Sequence, residues 1–241
     1  MSDQRFAARR RQGTRRRILR WGGAVLVVAL LAAGAWAVYF SSLLGVRTVE
    51  VVGVDRLQPD QVRTVADVPD GRPLARLDLV EIQTRLSRLE AVESVRVERD
   101  WPRTVRIEVV ERTPVAWTRV DGRIRGLDRY GVDYRTFQRP PEGLVEVSSS
   151  ASDPRQRPLA IAAAATVVAA LREQAPSLTR AVRAVEAPSR DAVTLVLTQG
   201  REVTWGSADR TDQKLEVLGA LLRIDAAGYD VSAPEQPTTR G

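Results

Sequence analysis

The sequence predicts an α+β protein carried on an N-terminal transmembrane helix, with a small β-α-α-β-β domain followed by a second domain of mixed strands and helices. Three observations predict it. Trp21–Phe40 is a charge-free apolar run of membrane-spanning length. Residues 46–112 show two apolar periods, alternation in the strands and three-to-four spacing in a helix. The stretch after Thr113-Pro114 is cut by Asp-Gly and Gln-Gly turns into short β-branched segments around two Ala- or Leu-rich helical ones. The expected divisions are a basic cytoplasmic tail over 1–20, the transmembrane helix over 21–44, the first domain over 46–114, the second over 115–233, and a Pro/Thr-rich disordered end over 234–241.

The anchor is argued from length and charge. Twenty helical residues span about 30 Å, the thickness of the hydrocarbon core. Trp21 lies at one end of the run and Trp36 and Tyr39 toward the other, as an aromatic belt places them. Before the run, eight arginines and Asp3 give Met1–Arg20 a charge of +7, which is the net charge of the whole chain. The high pI of about 10.7 therefore belongs to the tail alone. Residues 21–241 are neutral overall, which argues against nucleic acid as a partner. The Arg cluster puts the N-terminus in the cytoplasm by the positive-inside rule and holds the tail against inner-membrane lipids. Two other readings use the same residues. Ala35-Trp36-Ala37 has the small-x-small form of a signal cleavage site, and Thr14–Arg20 fits the loose twin-arginine pattern.

Within the first domain, Val46–Val54 reads as a strand ending at Gly53, Pro59–Asp67 as a short helix, and Val68-Pro69-Asp70-Gly71 as a turn. Asp78 caps a helix running to about Glu90, with Leu79, Ile82, Leu86 and Leu89 on one stripe. Val92–Asp100 and Thr104–Arg112 alternate, with Val95, Val97, Val105, Ile107 and Val109 inward, around a Trp101-Pro102 corner. Gly53 and Gly71 are expected at positive φ. In the second domain, Val115–Val120 and Arg123–Leu127 flank the Asp121-Gly122 hairpin turn, and Asp128–Val132 is a turn into a short strand. Pro158–Gln174 and Asp209–Ile224 are helices. Val182–Glu186, Ala192–Leu197, Glu202–Trp205 and Tyr229–Ala233 are strands.

Little in this chain suits catalysis. It has neither His nor Cys, and Lys214 is its only lysine. The commonest general base, the commonest metal ligand and thiol chemistry are therefore missing. No P-loop, G-x-G-x-x-G or G-x-S-x-G is present. Carboxylates such as Glu108 and Glu111 sit between Arg or Val neighbours, as on solvated strand faces with cross-strand ion pairs. No enzyme activity, cofactor or metal is expected. The alternative is an exported enzyme or binding protein released after signal cleavage.

The motifs, taken in order, carry a resemblance. They are Val49-Glu50-Val51-Val52-Gly53, Gly71-Arg72-Pro73-Leu74, Arg99-Asp100-Trp101-Pro102-Arg103-Thr104-Val105, Glu111-Arg112-Thr113-Pro114-Val115-Ala116 and Asp128–Val132. Gly200–Gly206, Lys214 and Asp230-Val231-Ser232-Ala233-Pro234 follow. Val46–Arg112 resembles a POTRA domain, and nearly the whole chain resembles the FtsQ/DivIB family of bacterial cell-division proteins. That resemblance implies a single-pass scaffold in the cytoplasmic membrane at the division septum. It implies contacts with the small coiled-coil membrane proteins FtsB and FtsL and with the septal synthase complex, helping to control septal peptidoglycan synthesis. It also implies that the last strand is an open edge extended by a partner segment, a role that falls here on Tyr229, Asp230, Val231, Ser232 and Ala233.

Overall fold

The computed structural model describes residues 3–40 and 44–241, with side chains from residue 21 onward. The side chains of the expected basic tail, and residues 41–43 of the expected span, lie outside the described residues. Helix α1 runs over Asp3–Phe40. Its segment Trp21–Phe40 has a mean hydropathy of 2.2, none of it is buried against the rest of the chain, and it is long and apolar enough to cross a membrane. Apolar side chains point outward all round it, Trp21, Leu31 and Trp36 among them. That distribution suits lipid rather than a protein core.

The chain divides into two compact units, 1–111 and 112–241. In the first, β1 (Thr48–Val52), α2 (Pro59–Ala66), α3 (Leu79–Leu86), β2 (Val92–Asp100) and β3 (Thr104–Glu111) follow the expected β-α-α-β-β order. The sheet order is β1-β3-β2, with β1 parallel and β2 antiparallel to β3. Val95, Val97, Val105, Ile107 and Val109 are buried beneath Val62, Ala66, Ile82 and Leu86 from the helices. Each fully buried aliphatic side chain stabilises by about 1.5–3 kcal/mol. The Asp78 carboxylate accepts from the Glu81 N–H, the N-cap expected of it. Helix α3 stops at Leu86, short of the expected Glu90, because Arg88 and Leu89 donate to the Arg85 and Leu86 carbonyls three residues back and tighten the chain out of the α-helix. One turn of 3₁₀-helix, Leu74–Arg76, has no periodic signal and was not expected.

Two motif positions explain how β1 is tied down. Gly53 (φ 80°) and Gly71 (φ 72°) are left-handed as expected. At Gly53 a Cβ would also lie 2.2 Å from the Val109 carbonyl oxygen, so only glycine lets β1 leave the sheet there. Directly after it, the backbone N–H groups of Asp55, Arg56 and Leu57 all donate to the Glu111 carboxylate, at 2.8–3.2 Å. Burial pushes this carboxyl's pKa up, but the three backbone donors and the nearby Arg56 charge outweigh it, leaving the group below its usual range. On the solvated face, Arg106 meets Glu50 at 3.1 Å and Asp100 at 3.6 Å, the cross-strand pairing expected there.

The second unit is one nine-stranded sheet ordered β12-β11-β10-β9-β8-β7-β4-β5-β6. Its strands are β4 (Ala116–Val120), β5 (Arg123–Leu127), β6 (Asp133–Phe137), β7 (Val145–Ser148), β8 (Val182–Ser189), β9 (Ala192–Leu197), β10 (Glu202–Gly206), β11 (Gly228–Asp230) and β12 (Thr238–Arg240). Asp121 and Gly122 both take positive φ, the hairpin geometry their dipeptide specifies. Helices α4 (Gln156–Gln174), α5 (Pro176–Ala181) and α6 (Thr211–Leu221) complete the unit. Ala160, Ala164, Val167, Val168 and Leu171 of α4 and Leu218 of α6 join Val185, Val193, Leu195, Val203 and Trp205 in one core. The sequence missed β7, α5 and β12, which are too short for a period to register.

Polar motif residues here hold joints as well. The fully buried Asp128 pairs with Arg112 and accepts from the Tyr130 and Val132 N–H groups, closing the turn before β6. Lys214 is also buried, and its Nζ donates to the Ser207 carbonyl at 2.8 Å, fastening α6 to the end of β10. Burial lowers its pKa, with Arg210 adding to the effect and Asp209 opposing it.

Variants at Glu111 and Lys214 test these joints. Glu111→Ala strips a charged acceptor from three backbone donors and is expected to cost about 2–3 kcal/mol in thermal or denaturant unfolding. Because the folded pKa of Glu111 is depressed, its contribution is present above the unfolded carboxyl pKa and lost as pH falls through the folded one, so the penalty should shrink in acid. Lys214→Ala is expected to cost about 2–4 kcal/mol by leaving a cavity, whereas Lys214→Met, which keeps the volume and removes a buried charge, should cost under about 1 kcal/mol. The unfolded chain holds the Lys214 proton more tightly than the folded one. The wild type should therefore gain stability relative to Lys214→Met as pH rises through the alkaline range.

Candidate partner-binding edge

The expected contact residues, Tyr229–Ala233, fall at the β11 end of the nine-stranded sheet. They do not form one strand. Strand β11 covers Gly228–Asp230, pairing parallel to β10 with Tyr229 opposite Val203 and Asp230 opposite Thr204. The Val231 N–H still donates to the Thr204 carbonyl at 3.0 Å, but Asp230 Oδ1 then accepts from the Ser232 N–H and turns the chain out of the sheet.

Side chains alternate across this end. Tyr229 and Val231 are buried in the core, and the Tyr229 hydroxyl donates to the Ile224 carbonyl at 2.8 Å. Asp230 is partly exposed, and Ser232 and Ala233 are exposed. Two of the five expected contact residues are therefore core residues whose side chains face away from any incoming strand.

The open edge implied by the resemblance is not open. The Gln236 N–H donates to the Ala233 carbonyl, the chain reverses, and β12 lies antiparallel to β11, with Gly228 opposite Arg240, Tyr229 opposite Thr239 and Asp230 opposite Thr238. The stretch expected to be a disordered end thus contains a strand. All three β12 residues are exposed, and they are fastened by little beyond the backbone: the Ala227 N–H donates to the Arg240 carbonyl at 2.9 Å and the Arg240 guanidinium meets Glu202 at 3.2 Å. In the connecting turn, a backbone hydrogen bond holds the Glu235 carboxyl below its usual range against the opposing effect of burial, and pairing with Arg210 lowers it further. The β-branched Thr238-Thr239 pair after Pro237 is the only sequence signal for β12, and its length is below what alternation can register.

Backbone direction separates inner and outer groups. The Ala227 carbonyl accepts from the Glu202 N–H and the Val231 N–H donates to the Thr204 carbonyl, both toward β10, so by the alternation of a parallel ladder the Asp230 N–H and C=O point toward β12. Those outward groups face β12, whose own outer edge lies beyond them. Among the described residues, no cluster of three or more His, Cys, Asp or Glu could hold a metal.

Comparison with known proteins agrees with this architecture. Residues 44–112 match the FtsQ-type POTRA domain and residues 115–231 match the C-terminal domain of cell division protein FtsQ/DivIB. The chain is 37% identical to the cell division protein FtsQ of Streptomyces bingchenggensis over 96% of its own length and 89% of that protein's. It is 36% identical, with the same shares, to that of Streptomyces venezuelae. The FtsQ of Mycobacteroides abscessus is 37% identical over 90% of this chain and 68% of its own length. With both domains matched in order and relatives aligned over most of this chain, the chain belongs to the FtsQ/DivIB family of bacterial cell-division proteins.

Proposed function

We propose that this chain is a non-enzymatic, bitopic scaffold of the division machinery. Its N-terminus lies in the cytoplasm, helix α1 spans the cytoplasmic membrane at the septum, and both folded units lie outside. Its partners on this reading are the membrane proteins FtsB and FtsL and the septal synthase complex, through which it helps control septal peptidoglycan synthesis. The Arg-rich tail rests on inner-membrane lipids.

The observation that carries the reading is the β11–β12 end of the sheet. A three-residue exposed strand is a weak cover for an edge whose neighbour, β11, is anchored by Tyr229 and Val231. An extended segment from a partner makes the same backbone hydrogen bonds over a longer run and adds side-chain contacts, so it displaces β12 and pairs with β11. Asp230, Ser232 and Ala233 then meet the partner's side chains, while Tyr229 and Val231 serve from below by keeping β11 flat. Pro234 is buried at the turn between β11 and β12.

The test must spare the core. The Val231 N–H bonds inward to Thr204, so a proline there would break the fold itself. Asp230→Pro removes a donor on the outer side. It is expected to leave the far-ultraviolet circular dichroism unchanged and to reduce co-purification of the partner complex at least about tenfold. Deleting Thr238–Gly241 is expected to strengthen partner binding, because the competing strand is gone. Unchanged binding in both variants, with the fold intact, would sink the proposal.

A further inference from the structure

The end of the first unit that receives helix α1 carries a second, separate surface. Phe40 is the last helical residue of the apolar run, and five peptide steps to Gly45 reach at most about 18 Å. Gly45 and Val46 are already locked into the folded unit. Gly45 bridges Pro73, the Val46 N–H donates to the Arg72 carbonyl at 3.0 Å, and the Gly71 N–H donates to the Val46 carbonyl at 2.9 Å. Val46 is 1% exposed, and a Cβ on Gly45 would lie 2.4 Å from the Gly71 carbonyl oxygen. The Arg47 N–H donates in turn to the Arg103 carbonyl at 2.9 Å. These backbone bonds bring Arg47, Arg72 and Arg103 to the end of the unit nearest the apolar span.

Arg76 joins them. Its guanidinium carbon lies 4.3 Å from the centre of the Phe40 ring. Its 3₁₀ turn is held in place by Arg99, which donates to the Leu74 and Leu77 carbonyls at 2.7 Å each. Trp101, 49% exposed, stands at the tip of the β2–β3 hairpin two residues from Arg103. Of the carboxylates close to these arginines in sequence, Asp100 already faces Arg106 and Asp78 caps α3. Arginines around an exposed Trp, within reach of the end of a membrane span, are the chemistry of a headgroup contact.

We propose that this end is a seat for the anionic phospholipid headgroups of the leaflet at which the apolar run ends. The Arg47, Arg72 and Arg76 guanidinium groups meet phosphate, and Trp101 enters the interfacial zone. The seat fixes the tilt of the first unit over the membrane and so selects which of its faces neighbouring proteins meet. It rests on α1 spanning a bilayer and is independent of the β11–β12 edge.

The full chain has no cysteine, so Pro69→Cys, at an exposed turn beside the seat, gives a single labelling site. The labelled protein is placed in nanodiscs of phosphatidylcholine alone or with phosphatidylglycerol added, each with a nitroxide-headgroup lipid as quencher. Quenching is expected to be stronger with phosphatidylglycerol and to fall with added salt. It should be lost in Arg47→Glu/Arg72→Glu/Arg76→Glu and retained in the corresponding triple Lys variant, with circular dichroism unchanged in both. Quenching that ignores lipid charge, or that survives the Glu variant, would overturn the seat while leaving the partner edge untested and intact. Failure of the chain to enter the discs would overturn the seat together with the anchor beneath it.

Discussion

Every β-sheet that is not closed into a barrel ends in a row of backbone donors and acceptors, and how those groups are satisfied governs this molecule. The nine-stranded sheet ends on one side at β6 and on the other at β11 with its three-residue cover β12. Strand β11 cannot slide or peel easily: it is parallel to β10, reached through helix α6, and nailed down by Tyr229 and Val231 in the core. Strand β12 has no such nails. The same sheet thus presents a rigid template beneath a cover held mainly by its own backbone bonds, the combination that strand exchange requires.

The polar motif residues serve the scaffold in a consistent way. Glu111 gathers the three amides that follow β1, Asp128 closes the turn before β6, and Lys214 fastens α6 to the end of β10. Each satisfies backbone groups at a place where a regular element stops, which is where orphaned donors and acceptors accumulate. A sequence rich in carboxylates and arginines but devoid of His and Cys spends its charged groups on joints.

Much of the fold was legible because it rests on period and turn chemistry. The inward faces of β2 and β3, the Asp78 cap, the Asp121-Gly122 hairpin and the positive φ at Gly53 and Gly71 follow from residues that admit few other conformations. The β-α-α-β-β order and the following β-rich unit were read correctly. What escaped were elements too short to show a period: the Leu74–Arg76 turn, β7, α5 and β12. Missing β12 mattered most, because it turned a covered edge into an apparently open one and a structured end into a disordered one. The stretch expected to meet a partner falls at the β11 end of the sheet, but alternation alone did not reveal that Tyr229 and Val231 are spoken for by the core, since either face of so short a strand could have been the buried one.

The most direct measurement is photo-crosslinking in dividing cells from a benzoylphenylalanine placed at Ser232, next to the β11–β12 edge, or at Arg135, on β6 at the opposite edge. If the C-terminal edge receives the partner strand, Ser232 yields a specific crosslink to a membrane division protein and Arg135 does not. Crosslinks from Arg135 with none from Ser232, in a protein that still supports division, would contradict it.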